Sequence, residues 1–265
     1  NHALIPTLPP HQTITNSKKE ILKILRDSRS LFARYTTNFD TDNKTLFWYI
    51  INDRSLDMKD YDIKTRNQIR KGLKLCSVRM ISKVELSKYG YEVYSKAFEN
   101  YKTFNKMESR ATFNNNVKEI SSNSDLWGVF SLEGKLIGYS KNNIQKNVCE
   151  FSSTKFHPDF LKNRPSEALF YTMCSYYMNE RGFKYIHNGT KSIAHHTNIQ
   201  KFLIKKFKFR KAFCDLHILY IPEVKFLVNI LYPFRRLISK SRINLLKKIS
   251  IVLFQEEIKR NQIND

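Results

Sequence analysis

Several side chains in this 265-residue chain have the types and spacing to do chemistry. In FLKNRPSEAL, Lys162, Asn163, Arg164 and Ser166 stand at the mouth of an apolar helical pattern that opens on Pro165. The first turn of a helix leaves N–H groups free and carries partial positive charge, so this corner suits an anionic group. Arg66, Arg70 and Lys74 recur at four-residue spacing in DIKTRNQIRKGLKL. They share a helix face that fits an acidic ligand, and fits plain solvation as well. His195 and His196 follow the dipeptide Asn188-Gly189, read as a turn. A histidine there can take a proton near neutral pH, or cap the next helix. Two adjacent histidines without a third ligand make a poor metal site, and no metal is expected. Asn188 is grouped with Arg66, Arg70 and Lys74 as a substrate-binding candidate, and Asn198 opens the helix after the histidines.

The elements that must position these groups run strand, polar loop, helix, strand, loop, helix, strand from Asn147 to Phe213. Val148 to Ser153 is the first strand. The helix covers about Pro165 to Arg181, with apolar residues at helical spacing. Pro165 suits its first position and Gly182 its left-handed cap. Phe183 to His187 is a short strand, about Asn198 to Lys206 the second helix, and the last strand begins near Arg210. Upstream, residues 1–16 read as an extended lead-in. Ser17 and Glu20 form a capping-box pattern for a helix from Lys18 to about Tyr35. Leu46 to Asn52 is a strand, Asp62 to Leu75 a basic helix and Ser77 to Ser82 a strand. Helices are expected from Lys88 to about Lys102 and from Ser109 to about Ser121. Leu126–Phe130 and Leu136–Tyr139 make a hairpin around Gly134.

A formal net charge of +22 points to an acidic partner such as nucleic acid, an anionic membrane or a phosphorylated substrate, or simply to a lysine-rich surface. The four cysteines are scattered with no C-x-x-C pair, which argues against a disulfide framework or zinc site and for the cytoplasm. No apolar run reaches membrane-spanning length, and no leader pattern is visible. The chain opens on Asn1 rather than Met, so the native start is expected upstream.

The order of these elements, and the run NIQKFLIKKFKF from Asn198 to Phe209, resemble the GNAT acyltransferase superfamily. In that pattern an Asn and a helix lead to a Gly-Phe pair, which here reads Lys208-Phe209. The segments KTRNQIRKGLK and GFKYIHNGT are similar to their counterparts in the Fem family, GNAT-fold peptidyltransferases that add amino acids to peptidoglycan precursors. The resemblance covers roughly Leu46 to Tyr220. It implies an α/β (α+β) GNAT-like fold with a mixed, mostly antiparallel central sheet flanked by helices, with room for two related half-domains. The expected boundaries are a lead-in at 1–16, halves at 17–122 and 123–221, and a basic tail at 222–265.

The resemblance further implies transfer of an acyl group from acetyl-CoA or another acyl-CoA, placed ahead of an aminoacyl-tRNA as donor, to an amine on a cell-envelope or sugar-linked acceptor. A backbone amide near Phe151 to Ser153 would face the carbonyl oxygen. Glu150 is the candidate base, with an outward-facing strand residue as the plainer reading. Lys162, Asn163, Arg164, Ser166 and Asn198 would bind the donor, although the loop has none of the glycines of GNAT phosphate loops. Ile204 stands where GNAT enzymes carry a tyrosine and Fem enzymes a lysine. A decayed transferase kept as a binding protein, and a basic nucleic-acid binder, are the alternatives. The tail, from Pro233 to about 258, reads as a basic amphipathic helix that either packs on the domain or lies on an anionic membrane, placing the chain at the inner membrane face.

Overall fold

The computed structural model describes residues 3–100, 106–193, 198–241 and 243–262. Strand β1 (Ala3–Leu4) precedes helix α1 (Lys18–Asp27), β2 (Phe32–Thr41) and β3 (Phe47–Asn52). Helix α2 (Ile63–Leu75), β4 (Cys76–Met80), α3 (Lys83–Glu99) and α4 (Arg110–Lys118) follow. The meander β5 (Ser124–Ser131), β6 (Leu136–Gln145) and β7 (Val148–Phe156) leads through a 3₁₀ turn (Pro158–Asn163) to α5 (Pro165–Cys174). A π-helical stretch, Ser175–Glu180, extends α5; then come β8 (Tyr185–Thr190), α6 (Ile199–Phe207) and β9 (Arg210–Tyr220). The tail forms α7 (Pro222–Leu231), a 3₁₀ turn (Tyr232–Phe234), α8 (Arg235–Ser239) and α9 (Asn244–Asn261).

Local chemistry explains most of these starts. Ser17 and Glu20 make the expected capping box, and Ser82 with Glu85 makes a second. That second box starts α3 at Lys83, five residues before the expected Lys88. The Asp62 carboxylate accepts the Thr65 amide and caps α2. The helix expected to reach Tyr35 stops at Asp27, where Arg29 turns left-handed (φ 52°). Phe32 to Thr37 then pair with β9 from Tyr220 back to Asp215, so sheet pairing overrides the helical spacing of Phe32. Asn188-Gly189 is not a separate turn but the end of β8, which starts two residues later than expected. The tail is not one amphipathic helix, because it breaks between α8 and α9.

The chain divides into two compact units, residues 1–49, 190–197 and 211–265 in the first, and 50–189 and 198–210 in the second. The division therefore does not fall at the expected 122/123 and 221/222 boundaries. Pairing of β2 with β9 gathers the two ends of the chain, which local sequence cannot reveal. In the first unit β1 runs parallel to β2, and β2 antiparallel to β9. Ile21 and Leu25 of α1 pack with Ala33 of β2, while Val228, Ile238, Leu253 and Ile258 from the tail helices pack with Cys214, Leu216 and Ile218 of β9. In the second unit β4, β5, β6 and β7 are successively antiparallel, and β8 is parallel to β7. Leu86, Val93 and Tyr94 of α3 and Phe113 of α4 pack with Leu126, Phe130 and Leu136 of the hairpin. Helix α5 is fully buried along Ala168, Leu169, Phe170 and Met173. The α/β class with a mixed, mostly antiparallel sheet flanked by helices is the one expected.

Candidate active site

The site is built where β7 and β8 part. Their parallel pairing covers only Val148↔Tyr185, Cys149↔Ile186 and Glu150↔His187. One residue further on, the Asn188 side chain replaces the ladder, its Nδ2 donating to the Phe151 carbonyl at 3.1 Å. On its other edge β7 carries a bulge: Phe151 lies opposite Asn142 and Ser153 opposite Lys141, which leaves Ser152 between them and exposed. A bulge re-aims backbone groups and bends the strand. Both deviations fall on Phe151 to Ser153, where the carbonyl-facing amide was expected.

Below this crevice, aromatic packing pins the strand. The Phe151 ring lies 5.7 Å from Phe170, 6.4 Å from Tyr177 and 6.2 Å from Phe209. A polar network runs along the same layer. Ser140 Oγ donates to Asn142 Oδ1 at 2.7 Å and lies 3.0 Å from Thr154 Oγ1. Asn142 Nδ2 and Trp127 Nε1 donate to the Tyr177 hydroxyl at 3.3 and 2.9 Å, and that hydroxyl donates to Asp125 Oδ2 at 2.9 Å. Burial pushes the Tyr177 hydroxyl far above its ordinary range, so it is a neutral donor and acceptor. Asp125 also lines an open polar depression of about 300 Å³ with Asn123, Lys146 and Arg181, at the strand ends away from the crevice.

His187 is the last residue of β8 paired with β7. It is buried, its Nδ1 accepts the Gly189 amide at 3.2 Å, and burial lowers its pKa from the ordinary 6.5 to about 4. The Gly189 amide turns back toward the ring because φ is +67°, open to glycine at little strain. The folded protein thus holds a neutral ring where the unfolded chain binds a proton below pH 6.5. Stability is expected to fall between pH 6.5 and about 4, by up to about 1.4 kcal/mol per pH unit, and this loss ends below the folded value. Urea midpoints at about pH 7 and about pH 5 check it, and His187→Gln should flatten the difference.

The start of α5 is occupied from within. Glu167, in its first turn, is 2% exposed. Its Oε1 accepts Lys206 Nζ at 2.6 Å, with Arg164 Nη1 3.7 Å away, and its Oε2 accepts Ser166 Oγ at 2.7 Å. Lys206 also donates to Gln68 of α2 at 2.7 Å. Helix α2 closes on this turn: a Cβ on Gly72 would stand 2.6 Å from the Arg164 carbonyl oxygen. Arg164 itself is left-handed (φ 62°, ψ 40°), taking without a glycine the conformation that glycine favours. Lys208 does the same (φ 57°) at the end of α6, where the resembling pattern has glycine.

The candidate residues thus separate. Asn188 reaches the crevice. Glu150 sits at its paired end, half-buried, with Oε2 accepting Asn143 Nδ2 at 2.9 Å. Arg164 and Ser166 are engaged with Glu167, the Asn163 carbonyl accepts the Cys76 thiol at 3.6 Å, and Lys162 is exposed. Asn198 precedes α6 without a side-chain cap bond. Arg66 is half-buried and Arg70 and Lys74 exposed, none in an ion pair among the described residues; the α2 side chain that reaches the α5 start is Gln68. His195 and His196 lie outside the described residues. Glu167 and Lys206, 39 positions apart, and the Tyr177 network carry no sequence signature that would have joined them.

Against solved structures, the chain matches FemX over 85% of its own length and 84% of that chain, at a TM-score of 0.58 and 11% identity. This is the fold of FemX. The chain also matches the C-terminal (DUF2156) domain of a putative lysylphosphatidylglycerol synthetase from Agrobacterium fabrum, at 9% identity over 80% and 76% of the two chains and a TM-score of 0.49. L-PGS from Bacillus licheniformis matches at 13% identity over 91% and 77%, with a TM-score of 0.47. No protein-family model and no curated protein matches. The FemX fold is the GNAT-like, Fem-type fold expected from the order of the elements, and at this identity the likeness is one of fold.

Proposed function

We propose that the chain is an acyltransferase of Fem type, joining an activated acyl group to an amine at the opening between β7 and β8. The parting of these strands beside the Ser152 bulge carries this reading. An amine attacking a carbonyl carbon builds negative charge on the oxygen, and a strand amide aimed out of the ladder can receive it. The attacking nitrogen must lose a proton, and Glu150, held by Asn143, is the nearest carboxylate on the strand; as the bond from the carbonyl carbon to the carrier breaks, the released carrier group takes up that proton.

The donor we favour is an aminoacyl ester on tRNA. Glu167 already places a carboxylate in the first turn of α5, and a coenzyme A pyrophosphate there would meet that charge and the Gly72 face of α2. The net charge of +22 suits a polyanionic carrier. The amine would belong to a cell-envelope or sugar-linked acceptor. The test offers the full chain radiolabelled aminoacyl-tRNA, or acetyl-CoA, together with peptidoglycan precursors. Label should pass from tRNA to the acceptor without thiol release from acetyl-CoA, and Glu150→Gln should slow transfer about 100-fold at unchanged stability. Thiol release would overturn the donor, and full activity of Glu150→Gln would overturn the base.

The second reading is a binding protein on the same fold. Ile204, 38% exposed at the expected acid position, favours it, and absence of any transfer would support it.

A further inference from the structure

The tail carries an apolar ridge that none of the described residues covers. Helix α7, the 3₁₀ turn and α8 follow one another with no extended residue between Leu231 and Arg235, so residues 222–239 form one helical path. One side of it, with Val228 and Ile238, packs into the core of the first unit. The other side presents Phe226 (67% exposed), Leu227, Ile230, Phe234 and Leu237 (71% exposed). All five are exposed while Val228 and Ile238 on the same path are buried, which sets them on the side of the path away from the core. Ile243 and Leu245, just beyond, are exposed too.

Soluble proteins seldom leave a continuous apolar stripe open to water, and such stripes mark docking surfaces. The charges beside it indicate what docks. Lys225, Arg236, Lys240 and Lys248 are exposed and make no ion pair among the described residues. Glu223 is the one acidic residue from Pro222 to Leu253. A second copy seated on the same stripe would bring these cations against each other. A surface of lipid phosphates would neutralise them while the apolar side chains enter the headgroup boundary. Among the described residues no helix is long and apolar enough to cross a membrane, so the contact is with the surface.

We propose that the Phe226–Leu237 ridge docks the protein on an anionic phospholipid bilayer. The ridge overlaps the surface expected at 233–258 through Phe234 and Leu237 and begins upstream of it at Phe226, while α9 turns Leu253 and Ile258 inward. The proposal is independent of the transfer reaction and is tested without it.

The full chain is sedimented with vesicles of phosphatidylcholine, alone or mixed with phosphatidylglycerol, at low and high salt. Binding to the mixed vesicles, lost on pure phosphatidylcholine and weakened by salt, is expected. Phe226→Ser/Leu237→Ser should weaken it about tenfold or more, and Arg236→Gln/Lys240→Gln about tenfold, with melting temperature unchanged because all four side chains are exposed. If the serine variant binds like the parent, overall charge alone is responsible and the ridge has no such role. A dimer that the serine variant converts to monomer would assign the ridge to a second copy and overturn the proposal, as would absence of binding by the parent.

Discussion

Lys206→Met is expected to destabilise the protein by about 3 kcal/mol, lowering the melting temperature by about 10 °C. The reason is what it leaves behind. Glu167 is 2% exposed and takes its shortest contact from Lys206 Nζ, at 2.6 Å. Removing one member of a buried pair strands the other charge, at a cost of roughly 3–5 kcal/mol. Arg164 at 3.7 Å and the Ser166 hydroxyl remain, which puts the expectation at the lower end. The double variant Lys206→Met/Glu167→Met should recover most of the loss, because apolar residues of similar volume replace a buried pair at little cost. Urea unfolding of the parent, the single and the double variants measures this. A single variant as stable as the parent would mean that the pair does not hold α6 to the start of α5.

Tyr177→Phe is expected to cost about 2–4 kcal/mol although it removes one oxygen. A tyrosine hydroxyl has one proton and room for two acceptor contacts. Here the proton goes to Asp125, and Trp127 and Asn142 donate to the oxygen. Both donors are buried, and a donor left unpaired costs roughly 1–3 kcal/mol; Trp127 loses its acceptor, while Asn142 Nδ2 keeps the Met173 sulfur at 3.1 Å. The effect should reach the crevice. Asn142 lies opposite Phe151, the last residue before the bulge, so an Asn142 that loses its Tyr177 contact loosens β7 where the acyl carbonyl would bind. Transfer rate and urea midpoint are expected to fall together. The opposite choice, Asn142→Leu/Tyr177→Phe, removes most of the polar layer and should restore stability better than it restores transfer.

Much of the second unit was legible in the chain itself. The hairpin around Gly134, the Pro165 start, the Asp62 cap and the position of α6 follow from capping chemistry, turn residues and spacing, all of which act within a few residues. The same locality explains the resemblance to GNAT and Fem proteins, since it rested on the order of elements that short-range preferences set. The Ser82 and Glu85 box was equally local, and it starts α3 ahead of the helix's buried apolar residues.

What the residues alone decided is therefore the sequence of strands and helices and the excess of positive charge. What only the folded chain decided is which of them meet. Val148 to Ser153 reads as an ordinary strand until its partners on either side show that one pairing stops at Glu150 and the other slips at Ser152. Lys162 to Ser166 reads as an open anion site until the fold brings Lys206 to Glu167 across 39 residues and Gly72 of α2 to Arg164 across 92. Val224 to Tyr232 reads simply as an apolar run until the path of the helix turns Val228 inward and leaves Phe226 and Leu227 to solvent. Hydrogen bonds and apolar contacts between distant segments carry that information, and a local pattern contains no record of the partner it will find.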